Sequence, residues 1–313
     1  MNIKTPRNLY KYLTFNENTI EMLIMHQAYF SDPINFNDPM DCKPIIKVDV
    51  DETTLERVVC NLIRKRSEKD FSQMAKKLKM SEEATENRTR ALSESEVLSF
   101  LNEVSYYSGE SEIKDVKNYK INRYKYAIQN EILSVFKRGV LCLSRKFDSP
   151  LMWSHYANNH KGLCIEYDME NVSEDMVKKI IYGGSRELKV SLIDDWLRHG
   201  ELKSEITDVC LLTKSSDWSY EVEWRMFGEV GVQDIYPTLK SVIFGMHCKQ
   251  TTIASVIKTL SNKNRKIKFW KIYNEGVGFE LKRTQLNPSD YENMYNNTLS
   301  ISEMHAILND LDN

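Results

Sequence analysis

The chain has 313 residues, enough for one large domain or two ordinary ones with a substantial core. Its 43 Lys and Arg against 45 Asp and Glu leave a formal charge of −2, so no overall field attracts nucleic acid or an anionic membrane. No apolar run approaches the roughly 20 residues that span a bilayer, and the N-terminal MNIKTPRNLYKYL carries no hydrophobic signal core, so no membrane partner is expected and the expected compartment is cytoplasmic.

The first elements fall within residues 8–47. LYKYL reads as a short aromatic strand. NENTIEMLIMHQ reads as a helix capped by Asn16 or Asn18, with Ile20, Leu23 and Ile24 on one face. AYFSDPINFNDPMDCKP follows as a loop, where Asx residues beside prolines set successive turns. Residues 52–135 change character. They hold one glycine, Gly109, no proline and a high density of charge. That pattern predicts three to five amphipathic helices. Arg64, Lys65, Arg66, Lys69, Lys76, Lys77 and Lys79 form a basic stretch there, read first as a solvated helix face and second as a contact to RNA or DNA.

From residue 139 the pattern is strand, helix, strand. GVLCLSRK is an apolar strand with a polar end. Asp148-Ser149-Pro150 starts a helix with a cap and a first-turn proline, and Gly162 closes it. GLCIEYD is the second strand. Residues 171–213 read as helical, with a turn at Gly183-Gly184. Alternation in Glu221–Phe227 predicts a strand. LKSVIFG, TTIASVIKTLSN and KIKFWKIY then read as strand, helix and strand, FELKR as a closing strand, and SISEMHAILNDL as a terminal helix. The expected fold is α+β: a central mixed, mostly antiparallel sheet with a helical insertion. Residues 1–50 and 136–285 form the core, 51–135 the insertion and 286–313 a helical tail.

Three segments carry residue types suited to chemistry. A strand over Glu221, Glu223 and Arg225 sets these side chains about 7 Å apart on one face. Two such carboxylates shift each other's pKa, and Trp218, Tyr220 and Trp224 around them suggest a partly dry pocket. The ordinary alternative is a sheet face with cross-strand ion pairs. In the second segment Ser144 stands at a strand end as a hydrogen-bonding hydroxyl or a turn residue. His155 is a base, a donor or a core histidine. Trp153 and Tyr156 share a helix face as core or as a ring-binding wall. The third segment, Asn35-Phe36-Asn37-Asp38-Pro39-Met40-Asp41, forms a stiff loop or a rim of oxygen ligands, without the glycine and terminal glutamate of an EF-hand. The six cysteines are isolated, which fits buried thiols, and no metal is expected. Motifs for a P-loop ATPase, a Rossmann dehydrogenase, a zincin and an α/β-hydrolase are absent.

LYKYL, FNDPMD, LCLSRKFDSPLMWSHYANNHKGLCIEYD and KSSDWSYEVEWR together resemble the bacterial domain-of-unknown-function family numbered 2971, from about Leu9 to about Gly245, with 52–135 as a poorly matched insert. That resemblance brings no activity. The order of residues also resembles, more weakly, the ADP-ribosyltransferase fold: Tyr10 and Lys11 on a first strand, Ser144 before a helix, then a Glu-x-Glu at Glu221 and Glu223. LYKYL lacks the fold's Arg or His, and no Ser-Thr-Ser is present. This second resemblance implies NAD as the cofactor. Glu221, Glu223, Arg225 and His155 would then be catalytic, with Tyr10, Lys11, Asn37, Asp38, Ser144, Trp153, Tyr156 and Trp218 binding the nucleotide. It also implies a protein or nucleic-acid acceptor, and a toxin or phage-defence effector with an antitoxin or defence-system partner. Two other readings stand beside it. A metal-dependent nuclease would gather its ion with Asp38, Asp41, Glu221 and Glu223. A non-catalytic binding module would use the helices and the aromatic site.

Overall fold

The computed structural model describes residues 4–110, 113–136, 138–261, 266–276 and 278–292. The chain starts with β1 (Asn8–Leu13), α1 (Glu17–Met25), β2 (Gln27–Phe30), a 3-10 turn at Pro33–Asn35, and β3 (Ile45–Lys47). Asn16 caps α1, accepting from the Thr19 amide at 2.9 Å. Three long helices follow: α2 (Glu52–Lys77), α3 (Glu82–Ser108) and α4 (Val116–Phe136). The core resumes with β4 (Gly139–Ser144), α5 (Pro150–Tyr156) and β5 (Leu163–Asp168), where Ser149 caps α5.

Residues 171–213, expected to be helical, instead hold three short strands before any helix: β6 (Val177–Lys179), β7 (Ile181–Tyr182) and β8 (Glu187–Lys189). Each pairs with a partner distant in sequence, and such non-local pairing overrides local propensity. Then come α6 (Val190–His199), α7 (Ser204–Thr207), a π-helical turn at Asp208–Leu212, β9 (Thr213–Lys214) and a 3-10 helix at Ser216–Glu221. The remainder is β10 (Glu223–Gly228), β11 (Gly231–Asp234), β12 (Thr238–Phe244), α8 (Gln250–Ser261), β13 (Lys268–Asn274), β14 (Leu281–Leu286) and α9 (Ser289–Glu292). β2 and β11 pair as a small ribbon, so the loop expected over AYFS opens with a strand. The terminal helix expected over SISEMHAILNDL lies outside the described residues.

The main sheet runs β14-β13-β12-β5-β1-β4-β10-β6. Only β12 and β13 pair in parallel; the other neighbours are antiparallel, so the fold is α+β with a mixed, mostly antiparallel sheet. One face buries Leu9, Leu141, Leu143, Ile165 and Val242 with α1 and α8. The opposite face carries Tyr10, Tyr12, Cys164 and Ile243 with Met152, Trp153 and Ala157 from α5 and its end. The apolar faces of α2 and α4 share a third core with Ile46, Leu188, Ile193 and Cys210, so the helical segment is packed onto residues before and after it.

One irregularity in this sheet sets the site. β1 matches β5 at six positions and β4 matches β10 at six, but β1 and β4 share a single register position, Tyr10 with Ser144. The sheet therefore opens into a slot between Lys11–Leu13 of β1 and Leu141–Leu143 of β4. β2 runs alongside and rejoins β4 through the Ser31–Val140 bridge.

Candidate functional site

A cavity of about 480 Å³ opens at this slot. Its walls include Tyr10, Lys11 and Tyr12 of β1, Asn37 and Asp41 of the Asx loop, Cys142 and Ser144 of β4, His155 and Tyr156 of α5, and Lys214, Glu221 and Glu223. The three polar segments thus converge on one hollow, with acids at its floor. Register explains part of this: Glu223, Ser144 and Tyr10 stand opposite one another across β10, β4 and β1, so their side chains leave the same face.

Glu221 is not on the strand that its alternation suggested. It ends the 3-10 helix Ser216–Glu221, and β10 begins only at Glu223. Between them Val222 sits at φ 45°, ψ 52°. That left-handed conformation is costly for a β-branched residue, and it needs support from outside. Arg145 N–H donates to the Val222 carbonyl at 3.2 Å, Ser144 Oγ donates to the Glu221 carbonyl at 2.6 Å, and Glu223 N–H donates to the Tyr182 hydroxyl at 2.8 Å. Ser144 also accepts from the Lys146 amide at 3.0 Å. Its hydroxyl therefore fixes the turn that carries Glu221.

Three carboxylates and two cations lie buried together. Lys214 Nζ reaches Glu221 Oε2 at 2.7 Å, Glu223 Oε2 at 3.0 Å and Asp41 Oδ2 at 3.5 Å. Arg225, fully buried, uses all its donors. Nε meets Glu223 Oε1 at 2.8 Å, Nη1 meets the Leu211 carbonyl at 2.7 Å and Cys42 Sγ at 3.1 Å, and Nη2 meets Asp41 Oδ2 at 2.7 Å and Glu223 Oε2 at 3.4 Å. A guanidinium so committed is a strut under the site and does not line the cavity. With these groups ionised, the cluster carries one uncompensated negative charge. Asp41 and Glu223 each touch both cations, whereas Glu221 touches only Lys214 and the Tyr156 hydroxyl, which donates to its Oε1 at 2.7 Å. The excess charge therefore resides at Glu221.

The pKa values divide accordingly. Burial would raise Glu223, but Arg225 and then Lys214 outweigh it and hold the carboxyl at about 2. Burial raises Glu221 above the ordinary glutamate value, and the Glu223 charge adds to the rise; Lys214 and the Tyr156 bond oppose it without cancelling it. Lys214 stays protonated: burial works against its charge, but Glu223, Glu221 and Asp41 push its pKa up. Burial, and then the Glu221 charge, raise Tyr156, which keeps its hydroxyl a donor. Two carboxylates pushed in opposite directions give one fixed anion and one that can exchange a proton.

The other expected residues divide between cavity and frame. His155 is exposed at the rim, its ring facing Trp218 and Tyr220 at centroid distances of 6.4 Å. Asn37 lies beside the Tyr156 hydroxyl. Asp38 does not line the cavity; it accepts from the Met40 amide and from Trp218 Nε1, both at 2.8 Å, and so ties the Asx loop to the 3-10 helix. Trp218 covers Lys214, whose Nζ lies 5.1 Å from the ring centroid. Trp153 and Tyr156 do not form one wall. Trp153 is fully buried against Tyr12, its Nε1 donating to the Phe147 carbonyl at 2.7 Å, while Tyr156 turns into the cavity. Sequence reasoning missed Lys214, the central cation, although a lysine closing the apolar run CLLTK seven residues before Glu221 is a readable signal. It also missed Tyr182, whose place beside the Glu223 amide depends on strand pairing. Of the nuclease set, Asp41, Glu221 and Glu223 gather around Lys214, which fills the centre of the acids, and Asp38 stands apart; among the described residues no group of three or more His, Cys, Asp or Glu is placed to hold a metal ion.

Comparison with curated proteins and with solved structures returned no match. The match to a family model is narrower than the resemblance suggested, but it takes in most of α5 and includes His155, Tyr156, Lys214, Glu221, Glu223 and Arg225. Over residues 152–226 the chain matches the model of the family described as protein of unknown function, DUF2971.

Proposed function

We propose that the cavity is the active site of a nucleotide-dependent transferase that breaks a ribosyl bond, most sharply ADP-ribosyl transfer from NAD, with Glu221 as the carboxylate acting on the reacting ribose. The supporting observation is the excess negative charge at Glu221, beside a row of Tyr10, Ser144 and Glu223 across three adjacent strands. Cleavage of a glycosidic bond builds positive charge on the sugar, and a carboxylate held in a partly dry hollow stabilises that charge more than water does. Tyr10, Tyr12 and Tyr156 line the cavity as aromatic surface suited to a base, and Lys11 supplies a cation for a phosphate. The volume lies within the ~300–1,000 Å³ of small-molecule sites.

The nuclease reading is less well supported because Lys214 already stands among the acids. In the transferase reading the acceptor is a protein or a nucleic acid, and an effector role with an antitoxin or defence-system partner belongs to it. The test is incubation of the chain with labelled NAD, with and without protein and nucleic-acid acceptors, following nicotinamide release and label transfer. Glu221→Gln should lower both by about 10²-fold or more while the fold is retained. A folded Glu221→Gln chain that turns over NAD like the parent would remove the assignment.

A further inference from the structure

A second hollow adjoins the slot between β1 and β4. A chamber of about 240 Å³ is lined by Leu13, Met22, Leu23, Ala28, Leu141 and Tyr167, among others. Leu23, Ala28, Leu141 and Tyr167 belong to the core on the α1 side of the sheet, whereas Tyr10, Tyr12 and Met152 of the acid chamber belong to the α5 side. The chambers therefore lie toward opposite faces of one sheet. Their common wall is Lys11, Tyr12, Tyr29, Ser31 and Tyr156, which lines both. In an intact antiparallel pair Lys11 would face only the side of its neighbour Ile165, opposite to Tyr10. It borders both chambers because β4 has moved away from β1.

Lys11 is half-buried, and among the described residues its ammonium makes no ion pair and no hydrogen bond. Asp41, Lys214, Glu221 and Glu223, which line the same chamber, are paired with one another or with Arg225. A partly dehydrated lysine without a counter-ion, at the waist between a polar and an apolar chamber, is suited to an anionic group that passes between them.

We propose that the apolar chamber is a second ligand subsite, taking an aromatic ring system joined through a phosphate-type anion at Lys11 to the moiety held in the acid chamber. The ligand class is a dinucleotide. The ribose and base that react lie on the Glu221 side, the linking phosphates lie at Lys11, and the second base lies among Leu23, Ala28, Leu141 and Tyr167. The assignment of ends rests on the transferase reading; the two-chamber geometry does not.

Calorimetric titration with three probes tests it: NAD, nicotinamide mononucleotide and nicotinamide riboside. Lys11→Met should weaken the two phosphate-bearing probes by about tenfold and leave the riboside unchanged, since a charged contact is lost only where a phosphate is present. Met22→Trp and Ala28→Leu, which fill the apolar chamber, should weaken NAD alone. Saturation transfer from the unmodified protein gives a readout that needs no variant: the adenine H2 and H8 protons of NAD should receive saturation along with the nicotinamide protons. Adenine protons that stay unsaturated, or an NAD affinity indifferent to both filling variants, would overturn the second subsite while leaving the transferase reading in place. Failure of all three probes to bind would remove both.

Discussion

At the scale of single residues, the cluster of Asp41, Lys214, Glu221, Glu223 and Arg225 separates framework from chemistry by counting donors. Arg225 has none to spare, and Glu223 is held ionised by the charges of Arg225 and Lys214. Glu221 alone keeps an oxygen shared with a removable hydroxyl, that of Tyr156. The Tyr156 bond favours the ionised carboxylate, so removing it raises an already raised pKa. Tyr156→Phe keeps the ring that lines both chambers. It should move the acid limb of the pH–rate profile for NAD turnover to higher pH by about one to two units, given ~1.5–3 kcal/mol for a hydrogen bond to a charged group and ~1.4 kcal/mol per unit. The rate plateau above that limb should change little. An acid limb that stays in place would show that Glu221 is not the titrating group. The same counting shows where sequence was legible: Glu221, Glu223 and Asp41 stand in polar runs with aromatic neighbours, which is visible without coordinates. Their division of labour was not, because it depends on Lys214 and Arg225 reaching across from β9 and β10.

At the scale of elements, most long helices and central strands were readable because their periodicity was strong. The capped α1, the glycine-poor α2–α4, the strand–helix–strand unit β4-α5-β5 and the run β12-α8-β13 all follow from local pattern. The short strands β6, β7 and β8 did not, since three residues or fewer carry no period and their pairing is non-local. The α5 unit also depends on a close approach that sequence only hinted at. After Tyr156 the chain passes through Asn158, Asn159 and His160, all at positive φ, and turns back at Gly162 into β5. A Cβ on Gly162 would lie 2.2 Å from the Leu13 carbonyl oxygen and 2.9 Å from that of Ala157, both backbone atoms with little freedom to yield. Gly162→Ala should therefore destabilise the chain by about 1–3 kcal/mol or more, the usual cost of overpacking. It should also push the end of α5 off β1, so that NAD turnover falls further than the loss of folded protein explains. Urea unfolding beside turnover corrected for the folded fraction measures both. Parental stability in the Gly162→Ala chain would mean that β1 and α5 separate easily.

At the scale of the whole molecule, the buried cluster makes folding depend on pH through two glutamates of opposite sign. The carboxyl of Glu223 is at about 2 in the folded chain, against an ordinary value of 4.5. Its contribution is therefore fully present above about pH 4.5 and is lost as pH falls toward 2, a difference of roughly 3 kcal/mol from that gap. Glu221 works the other way. Its folded pKa lies above 4.5, so the stability linked to its proton is complete below that value and is lost as pH rises through the raised one. The anion that the proposed chemistry uses is thus held at a cost to the fold, a trade expected at active sites. Two substitutions separate the terms in thermal unfolding from pH 2 to 8. Glu223→Gln leaves Arg225 and Lys214 short of a partner, and its penalty relative to the parent should grow as pH rises from 2 to about 4.5 and then level off. Glu221→Gln should equal the parent in acid and gain on it as pH rises through the Glu221 pKa, becoming the more stable chain at neutral pH while losing turnover. If Glu221→Gln is instead the less stable chain at neutral pH, its charge holds Lys214 in place and is not the strained anion of the site.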